Sequence, residues 1–162
     1  DIVQNLFEEG KTPLLMVLDA VTDVRNFGAI ARTCVCAGVH ALIINNRGSV
    51  AINGDAIKTS AGALHTLPVC KVENLQNTLD YLRDSGLRIV AATEHTDTCY
   101  TSVDMTVPTA IVMGSEEKGI YEENLKRCTD KVRIPMTATI ESLNVSVAAG
   151  ILIYEALRQR AK

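Results

Sequence analysis

The chain has 162 residues, of which 47% are hydrophobic and 22% are charged, and its formal net charge at pH 7 is −3. A chain of this length forms one domain with a core of its own, so it needs neither disulfides nor a metal ion to fold. The net charge excludes a histone-like protein that holds nucleic acid by bulk positive charge, whereas a local basic site for RNA remains compatible with it.

The sequence has no signal for a membrane or for export. Its apolar runs fall short of the ~20 residues of a membrane helix, and its N-terminus lacks the regions of a signal peptide. The cysteines are odd in number and form no CxxC or Cys/His pair with metal-ligand spacing. We therefore predict that they are small buried hydrophobes, that the protein is cytoplasmic and that it binds no metal. They are Cys34, Cys36, Cys70, Cys99 and Cys128.

Strands and helices alternate along the chain. Short runs that are apolar throughout predict strands buried on both faces, and apolar residues at helical spacing predict the helices between them. Gly38 and Gly86 are placed to end the first two helices. In chain order, the predicted elements are strand Leu14–Leu18, helix Asn26–Ala37, strands Ala41–Ile44 and Leu67–Val72, helix Glu73–Ser85, strands Arg88–Thr93 and Thr109–Met113, helix Tyr121–Lys126, strand Lys131–Ile134 and helix Ser142–Arg160. No element is predicted in residues 1–13, 45–62 or 95–106.

The last predicted helix has an unusual composition. Ser142 can cap its first N–H groups, and Arg158 and Arg160 suit the negative end of its dipole. Apolar residues fill Val145–Tyr154 and leave no polar face over three turns. We expect such a helix to be buried all round, either in the core or against another subunit.

The alternation of elements predicts an α/β fold with a mostly parallel sheet flanked by helices. Ligands of such sheets bind at the carboxyl ends of the strands. The loops that follow Leu18, Thr93, Met113 and Ile134 are therefore the places where a functional site is expected.

Three of these loops, those after Leu18, Met113 and Ile134, carry polar residues that suggest a site. The first holds Asn26 and Arg32 near the start of a helix, where the dipole disfavours Arg; a solvated or salt-bridged Arg is the ordinary alternative. In the second, Gly114–Gly119, Glu116 lies between two glycines that permit close backbone approach to a ligand. Gly-Ser-Glu also forms ordinary surface turns, so this signal is weak alone.

The third loop brings Ser142, Asn144 and Ser146 into an apolar stretch at the start of a helix. Capping explains one of these side chains, but Asn144 is costly to bury without partners. A capping network and a functional site are equal alternatives for this segment. None of the loops contains a GxGxxG fingerprint, a Walker loop or a nucleophile elbow.

Together, the segments N-x-G-x-x-x-R from Asn26, G-x-E-x-x-G from Gly114 and I-P-M-x-x-x-x-x-S-L-N-V-S from Ile134 resemble the SpoU (TrmH-like) RNA ribose 2′-O-methyltransferases. The resemblance covers residues 14–160. Lys58–Ala63 and the closing YEALRQR look most like the branch that methylates a guanosine ribose of bacterial large-subunit (23S) rRNA. Relatives that modify tRNA share the core motifs.

The resemblance implies the SPOUT fold, in which the C-terminal part of the α/β domain is threaded through a loop as a deep trefoil knot. It also implies a homodimer with the cofactor and RNA sites near the subunit interface. On this basis we interpret residues 14–162 as the catalytic domain. Residues 1–13 are interpreted as an N-terminal segment, the remnant of a linker to a missing RNA-binding domain.

The implied reaction is methyl transfer from S-adenosylmethionine to a ribose 2′-hydroxyl of RNA, without a metal. Arg32 is implied to hold an RNA phosphate and stabilise the developing alkoxide, because a protonated guanidinium is a poor base. Acceptance of the hydroxyl proton by Arg32 with a phosphate's help is the alternative. The other implied catalytic residues, which would orient the ribose and Arg32, are Asn26, Glu116, Ser142 and Asn144.

Backbone groups and apolar side chains are implied to hold the cofactor. The positions that match the family are Thr93, Gly114, Ile134, Met136, Leu143 and Asn144. One departure is the stretch TATIE that ends at Glu141, which is bulkier and more acidic than the small-residue stretch usual there. We expect Glu141 to weaken RNA binding or to change the target nucleotide.

Two other functions compete with this interpretation. The first is methylation of a tRNA ribose by a member of the same family. The second belongs to another class, a noncatalytic RNA-binding or ribosome-assembly protein that keeps the fold. The joint presence of Asn26, Arg32, Glu116, Ser142 and Asn144 speaks against the second, because binding alone does not require the whole set. A dehydrogenase or hydrolase is disfavoured because its motifs are missing.

Overall fold

The computed structural model describes residues 1–45, 62–138 and 142–161. In chain order its elements are α1 (Ile2–Glu8), β1 (Leu14–Asp19), α2 (Val24–Ala37), β2 (Ala41–Asn45), β3 (Val69–Val72), α3 (Leu75–Asp84), β4 (Arg88–Ala92), β5 (Thr109–Gly114), α4 (Glu122–Leu125), β6 (Asp130–Val132) and α5 (Val145–Arg160), with 3-10 turns at Ala63–His65 and Tyr100–Ser102. Every predicted strand and helix is confirmed, with its ends shifted by at most three residues. Most of the Lys58–Ala63 stretch and Glu141 lie outside the described residues.

The six strands form one sheet in the order β3-β2-β1-β5-β4-β6, and each neighbouring pair is parallel. The predicted α/β fold with a parallel sheet is thus confirmed. β1 and β5 pair at the centre from Leu14↔Thr109 to Asp19↔Gly114. The carboxyl ends of these two strands therefore lie side by side.

The central strand β1 explains why its residues are apolar throughout. Met16 and Leu18 pack with α2 and α5 in one core, whereas Leu15 and Val17 pack with α1 and α3 in the other. Because helices cover both faces of the sheet, neither set of alternate residues meets water. Among the described residues, no helix is long and apolar enough to cross a membrane.

The expectation that residues 1–13 contain no element is wrong. Asp1 accepts a hydrogen bond from the N–H of Val3 at 2.9 Å and caps α1, which buries Val3 and Leu6. Val3 joins the core beneath α3. A helix of seven residues is too short to show a sustained apolar period, so tertiary packing rather than local pattern forms it.

The prediction for the last helix is partly wrong. Asn144, not Ser142, caps α5, through its Oδ1 atom and the N–H groups of Ser146 and Val147. Within the single chain the helix is also not buried all round, because the side chains of Val147 and Tyr154 are 51% and 47% exposed, and its burial against another subunit stays a prediction. The helix therefore has one core face and one apolar face that the single chain leaves open.

The end of α5 is fixed by more than its dipole. Arg160 donates to four backbone carbonyls that belong to the segments leading into β1 and β5. Its distances to the oxygens of Met105, Thr12, Pro13 and Val107 are 2.8, 2.9, 3.0 and 2.8 Å, respectively. The guanidinium thus joins the last turn of the chain to the first residues of the two central strands.

The cysteine prediction holds for some residues and not for others. Cys34 is buried, and burial raises the pKa of its thiol to about 12. Burial also raises the pKa of the Cys128 thiol to about 12. Cys36 is exposed, which corrects the prediction of small buried hydrophobes, because α2 turns this residue away from the sheet.

His40 predicts a pH dependence of stability. Its Nδ1 atom accepts the N–H of Leu14 at 3.0 Å, and burial, followed by the charges of Arg160 and Lys11, lowers its pKa. The unfolded chain therefore binds a proton that the folded chain does not, so the free energy of unfolding falls as the pH drops through the ordinary histidine range. We expect urea denaturation to show this loss between about pH 7 and pH 5.

The variant His40→Asn can still accept the Leu14 N–H, but it cannot be protonated, so this part of the pH dependence should disappear. His95→Gln changes an exposed loop residue and is the matched control, which should behave as the original chain. An unchanged slope in His40→Asn would show that another group causes the loss.

Candidate functional site

The predicted loops lie along one edge of the sheet. β1 and β5 end at Asp19 and Gly114, and β4 and β6 end at Ala92 and Val132. Since all of these strands run parallel, their carboxyl ends share the edge where ligands of such sheets bind.

Asn26 and Asn144 are 118 residues apart in sequence and form a direct contact. The Nδ2 atom of Asn144 donates to the Oδ1 atom of Asn26 at 3.1 Å. Asp23 holds Asn26 in the first turn of α2 by accepting its N–H at 2.9 Å. Asn144 therefore caps α5 with its oxygen and binds Asn26 with its amide nitrogen, which confirms the capping network, whereas its role in a functional site stays a prediction.

Glu116 reaches the same place from the turn after β5. Its Oε1 atom accepts the N–H of Val145, the first residue of α5, at 3.0 Å. The side chain thus contacts the start of α5, and within the described ranges it makes no contact with Arg32, which it was expected to order. Asn26, Glu116 and Asn144 converge on one helix start.

The structure does not bring Arg32 and Ser142 into this network. α2 begins at Val24, two residues earlier than predicted, so Arg32 lies in its third turn with an exposed side chain. It forms no ion pair or hydrogen bond with any residue in the described part of the chain. Ser142 is exposed beside the network.

The glycines of the second loop serve the turn itself. A Cβ atom at Gly114 would lie 2.1 Å from the carbonyl carbon of Gly119, so only glycine allows the two segments to pass this closely. The N–H of Gly119 donates to the Ser115 oxygen at 2.8 Å. Gly114 is therefore required for close approach of the chain to itself, which fixes the turn that carries Glu116, and its approach to a ligand stays a prediction.

Asp19 is a site residue that the sequence reasoning missed. It is fully buried and accepts the N–H of Tyr121 and the Nδ2 of Asn124, both at 2.9 Å. Ala20 follows it with φ of 59°, a conformation that non-glycine residues rarely adopt. The sequence feature that could have identified Asp19 is an acidic residue at the end of an otherwise apolar strand. Through Tyr121 and Asn124, Asp19 holds the start of α4 behind the turn.

The predicted cofactor positions offer backbone groups and uncharged side chains at the carboxyl edge of the sheet. Thr93 follows β4 and donates its N–H to the Val132 oxygen at 2.9 Å, and Ile134 follows β6 at the same edge. Ile134, Met136 and Leu143 are half-buried and carry no charge. Gly114 ends the neighbouring strand β5, so the set spans three adjacent strands. Among the described residues, no three His, Cys, Asp or Glu side chains lie close enough to hold a metal ion.

A cavity of about 410 Å³ opens between the turn after β1 and the turn after β5. We call it the turn cavity. The side chains that matter for its chemistry are those of Asp23, Asn26, Glu116, Glu117, Lys118 and Tyr121.

Residues 13–154 match the model of the SpoU rRNA Methylase family. The chain belongs to this family, which confirms the resemblance inferred from the three segments.

Individual relatives agree with this assignment. A 23S rRNA (guanosine-2'-O-)-methyltransferase of Yersinia pestis is 41% identical over 155 residues, which are 96% of this chain and 63% of that protein. The chain thus spans less than two thirds of the length of this curated relative. The SpoU methyltransferase AviRb of Streptomyces viridochromogenes in complex with AdoMet has a TM-score of 0.85 at 30% identity, covering 92% of this chain and 61% of that one. The TrmH/SpoU tRNA modifying enzyme of A. aeolicus has a TM-score of 0.83 at 33% identity, covering 98% and 82%, respectively.

Proposed function

We propose that this chain is the catalytic domain of a cytoplasmic methyltransferase that uses S-adenosylmethionine to methylate the ribose 2′-hydroxyl of a guanosine in large-subunit rRNA. The observation that carries the proposal is the convergence of all three signature segments. Asn26 of the first contacts Asn144 of the third, and Glu116 of the second contacts Val145. Relatives named as 23S rRNA (guanosine-2'-O-)-methyltransferases support the substrate, and the AdoMet complex supports the cofactor.

Each proposed catalytic residue has a role that its surroundings allow. When bound, S-adenosylmethionine supplies a methyl group on a sulfonium. Asn26, Asn144 and Ser142 offer amide and hydroxyl groups that can orient the ribose, and Glu116 holds the start of α5. Arg32 has no partner within the described residues, so it is free to bind a phosphate and stabilise the alkoxide. Thr93, Gly114, Ile134, Met136, Leu143 and Asn144 are the proposed cofactor positions.

Calorimetry and a methylation assay test the proposal together. We expect the chain to bind S-adenosylmethionine or its demethylated product but not NAD, because the proposed site is formed by uncharged side chains and has no phosphate-binding glycine fingerprint. Equal affinity for NAD would reject the assignment. Transfer of labelled methyl to 23S rRNA rather than to tRNA would support the rRNA substrate. Preference for tRNA would favour the second candidate, which the similarity to the A. aeolicus enzyme supports.

We also propose a homodimer, because α5 keeps an apolar stripe that the single chain does not cover. Val147, Tyr154 and Leu157 are exposed at spacings of seven and three residues, which place them on one side of the helix. Sedimentation at micromolar concentration should show a dimer, and Val147→Asp should shift it to a monomer. Phe7→Asp changes an apolar residue of similar exposure on α1 and should leave the dimer intact. A monomer in the original chain would contradict this proposal.

Finally, we propose that the catalytic domain spans residues 14–162 and that its C-terminal part forms the trefoil knot of the family. β6 lies at the edge of the sheet beside β4, whereas α5 packs on α2 and β5. The segment between β6 and α5 thus joins the edge of the sheet to its centre, an arrangement that supports the proposal. An experimental structure that traces residues 133–144 tests this proposal.

A further inference from the structure

We propose that the turn cavity binds the base of the target nucleotide and that Glu117 selects guanine by accepting its two adjacent donors. This inference rests on the proposed function, which supplies an RNA ribose at the neighbouring residues. Asn26 and Glu116 line the turn cavity and also belong to the network that joins the signature segments. A base attached to a ribose at that network therefore has the turn cavity within reach.

The size and walls of the turn cavity suit a nucleobase. A volume of about 410 Å³ falls within the range of about 300–1,000 Å³ that small-ligand sites occupy. Tyr121 supplies an aromatic ring, the usual surface for an unstacked base in RNA recognition, and Val21 and Val145 supply apolar area. Enzymes that act on one nucleotide commonly extrude its base into a pocket of this kind.

The charges of the turn cavity exclude a phosphate and favour a group that donates hydrogen bonds. Asp23, Glu116 and Glu117 are acidic, and Lys118 is the one basic residue among the described lining residues. This excess of carboxylates repels the RNA backbone, whereas N–H and amino groups of a base are attracted. The base is therefore expected to point inward and its phosphates outward, away from these carboxylates.

A second cavity adjoins the turn cavity at Tyr121. Its volume is about 170 Å³, and it shares Asn45 and Tyr121 with the turn cavity. Asn124 lines it and is only 3% exposed, yet its Oδ1 atom has no hydrogen-bond partner in the described part of the chain. Among the described residues, the buried Oδ1 atom of Asp19 lacks a partner as well. Both atoms are closed off from solvent, so the acceptors that a base can reach are the exposed carboxylates of the turn cavity.

The existing contacts single out Glu117 among the three carboxylates. One oxygen of Asp23 already accepts the Asn26 N–H, and one oxygen of Glu116 accepts the Val145 N–H. Glu117 is exposed at the turn cavity, and neither of its oxygens is engaged by another described residue. It alone of the three offers a whole carboxylate for a bidentate contact.

A whole carboxylate distinguishes guanine from the other bases. Guanine presents the N1–H and the N2 amino group side by side, so both oxygens of one carboxylate can accept from it. Adenine, cytosine and uracil place a donor next to an acceptor on the corresponding edge, and one carboxylate oxygen would then face a lone pair. Unpaired polar groups of this kind are the strongest source of selectivity in binding sites.

Inosine tests this assignment, because it differs from guanosine only in lacking the N2 amino group. We would measure kcat/KM for methyl transfer to an RNA fragment with guanosine or inosine at the target position. With the original protein, inosine should lower kcat/KM by roughly 10- to 100-fold, the effect of one charge-assisted hydrogen bond. With Glu117→Ala, guanosine loses both contacts, so its kcat/KM should fall at least to the value that the original protein gives with inosine, and the two RNAs should become equivalent.

Glu122→Gln is the matched control, since Glu122 is an exposed acid five residues later that lines neither cavity. It should keep the full preference for guanosine. Equal rates on both RNAs with the original protein, or an unchanged preference in Glu117→Ala, would overturn the assignment. If the original protein methylates neither RNA, the proposed function is wrong, but the base site can still be tested. Filter binding then compares the affinities of the original protein and of Glu117→Ala for the guanosine and inosine RNAs.

Discussion

Replacing Arg32 by Ala is expected to lower the rate of methyl transfer by roughly 10²–10³, the usual effect of removing one electrostatic stabiliser of a transition state. The surroundings of Arg32 indicate that this substitution removes the guanidinium without disturbing the fold. Arg32 is exposed in the third turn of α2, pairs with no described residue, and Ala is the best helix former. The free energy of unfolding and the affinity for S-adenosylmethionine should therefore stay nearly constant while turnover falls.

Single-turnover kinetics with RNA, together with calorimetry for the cofactor, separate these effects. Arg32→Lys should rescue little, because an ammonium cannot reproduce the forked contact of a guanidinium with a phosphate. Arg25→Ala removes another exposed arginine of α2 and serves as the control, with a rate near that of the original protein. Near-normal methylation by Arg32→Ala would mean that Arg32 is a solvated surface residue and not part of the reaction.

Replacing Gly114 by Ala is expected to destabilise the protein by about 3 kcal/mol and to abolish most activity. The added Cβ atom would lie 2.1 Å from the carbonyl carbon of Gly119 and 2.3 Å from the Ile120 nitrogen, and neither backbone atom can move without opening the turn. Opening the turn displaces Glu116 from the N–H of Val145. The start of α5 and its Asn144 cap would then lose one of their fixed contacts.

Gly150→Ala is the control for packing within the single chain, because Gly150 lies within α5 and a Cβ atom there would meet only Thr33 of the same chain, at an ordinary 3.9 Å. That variant should be as stable as the original chain or slightly more so, since Ala favours helix over Gly. Urea denaturation gives the free energies, and the same samples give the methylation rates. A Gly114→Ala protein of unchanged stability would contradict the close packing of the turn.

Local pattern accounts for most of the fold. The strands were predictable because both faces of the sheet are covered, so each strand became a continuous apolar run. α2 ended as expected at Gly38, which adopts φ of 77°. α1 was not predictable, because its seven residues hold too few apolar positions to show a period. Its formation depends on Val3 reaching a core made by residues far along the chain.

The candidate site was predictable as a set of residues but not as a set of contacts. The three segments identified Asn26, Glu116 and Asn144, yet no local rule links residues 118 positions apart. The choice of Asn144 over Ser142 as the cap depends on where α5 starts, which Glu116 helps to fix from another strand. The role of Asp19 was not predictable because its partners, Tyr121 and Asn124, come more than 100 residues later.

The contacts of Arg160 also bear on how the protein is made. Its guanidinium reaches the oxygens of Thr12 and Pro13, which precede it by 148 and 147 residues. β1 can pair with β2 early in synthesis, but its other edge waits for residues 109–114. Pairings between such distant segments slow folding and prolong the exposure of unpaired apolar strands. Nearly all residues of this chain must leave the ribosome before β1 is paired on both sides and Arg160 binds the carbonyl oxygens that precede it.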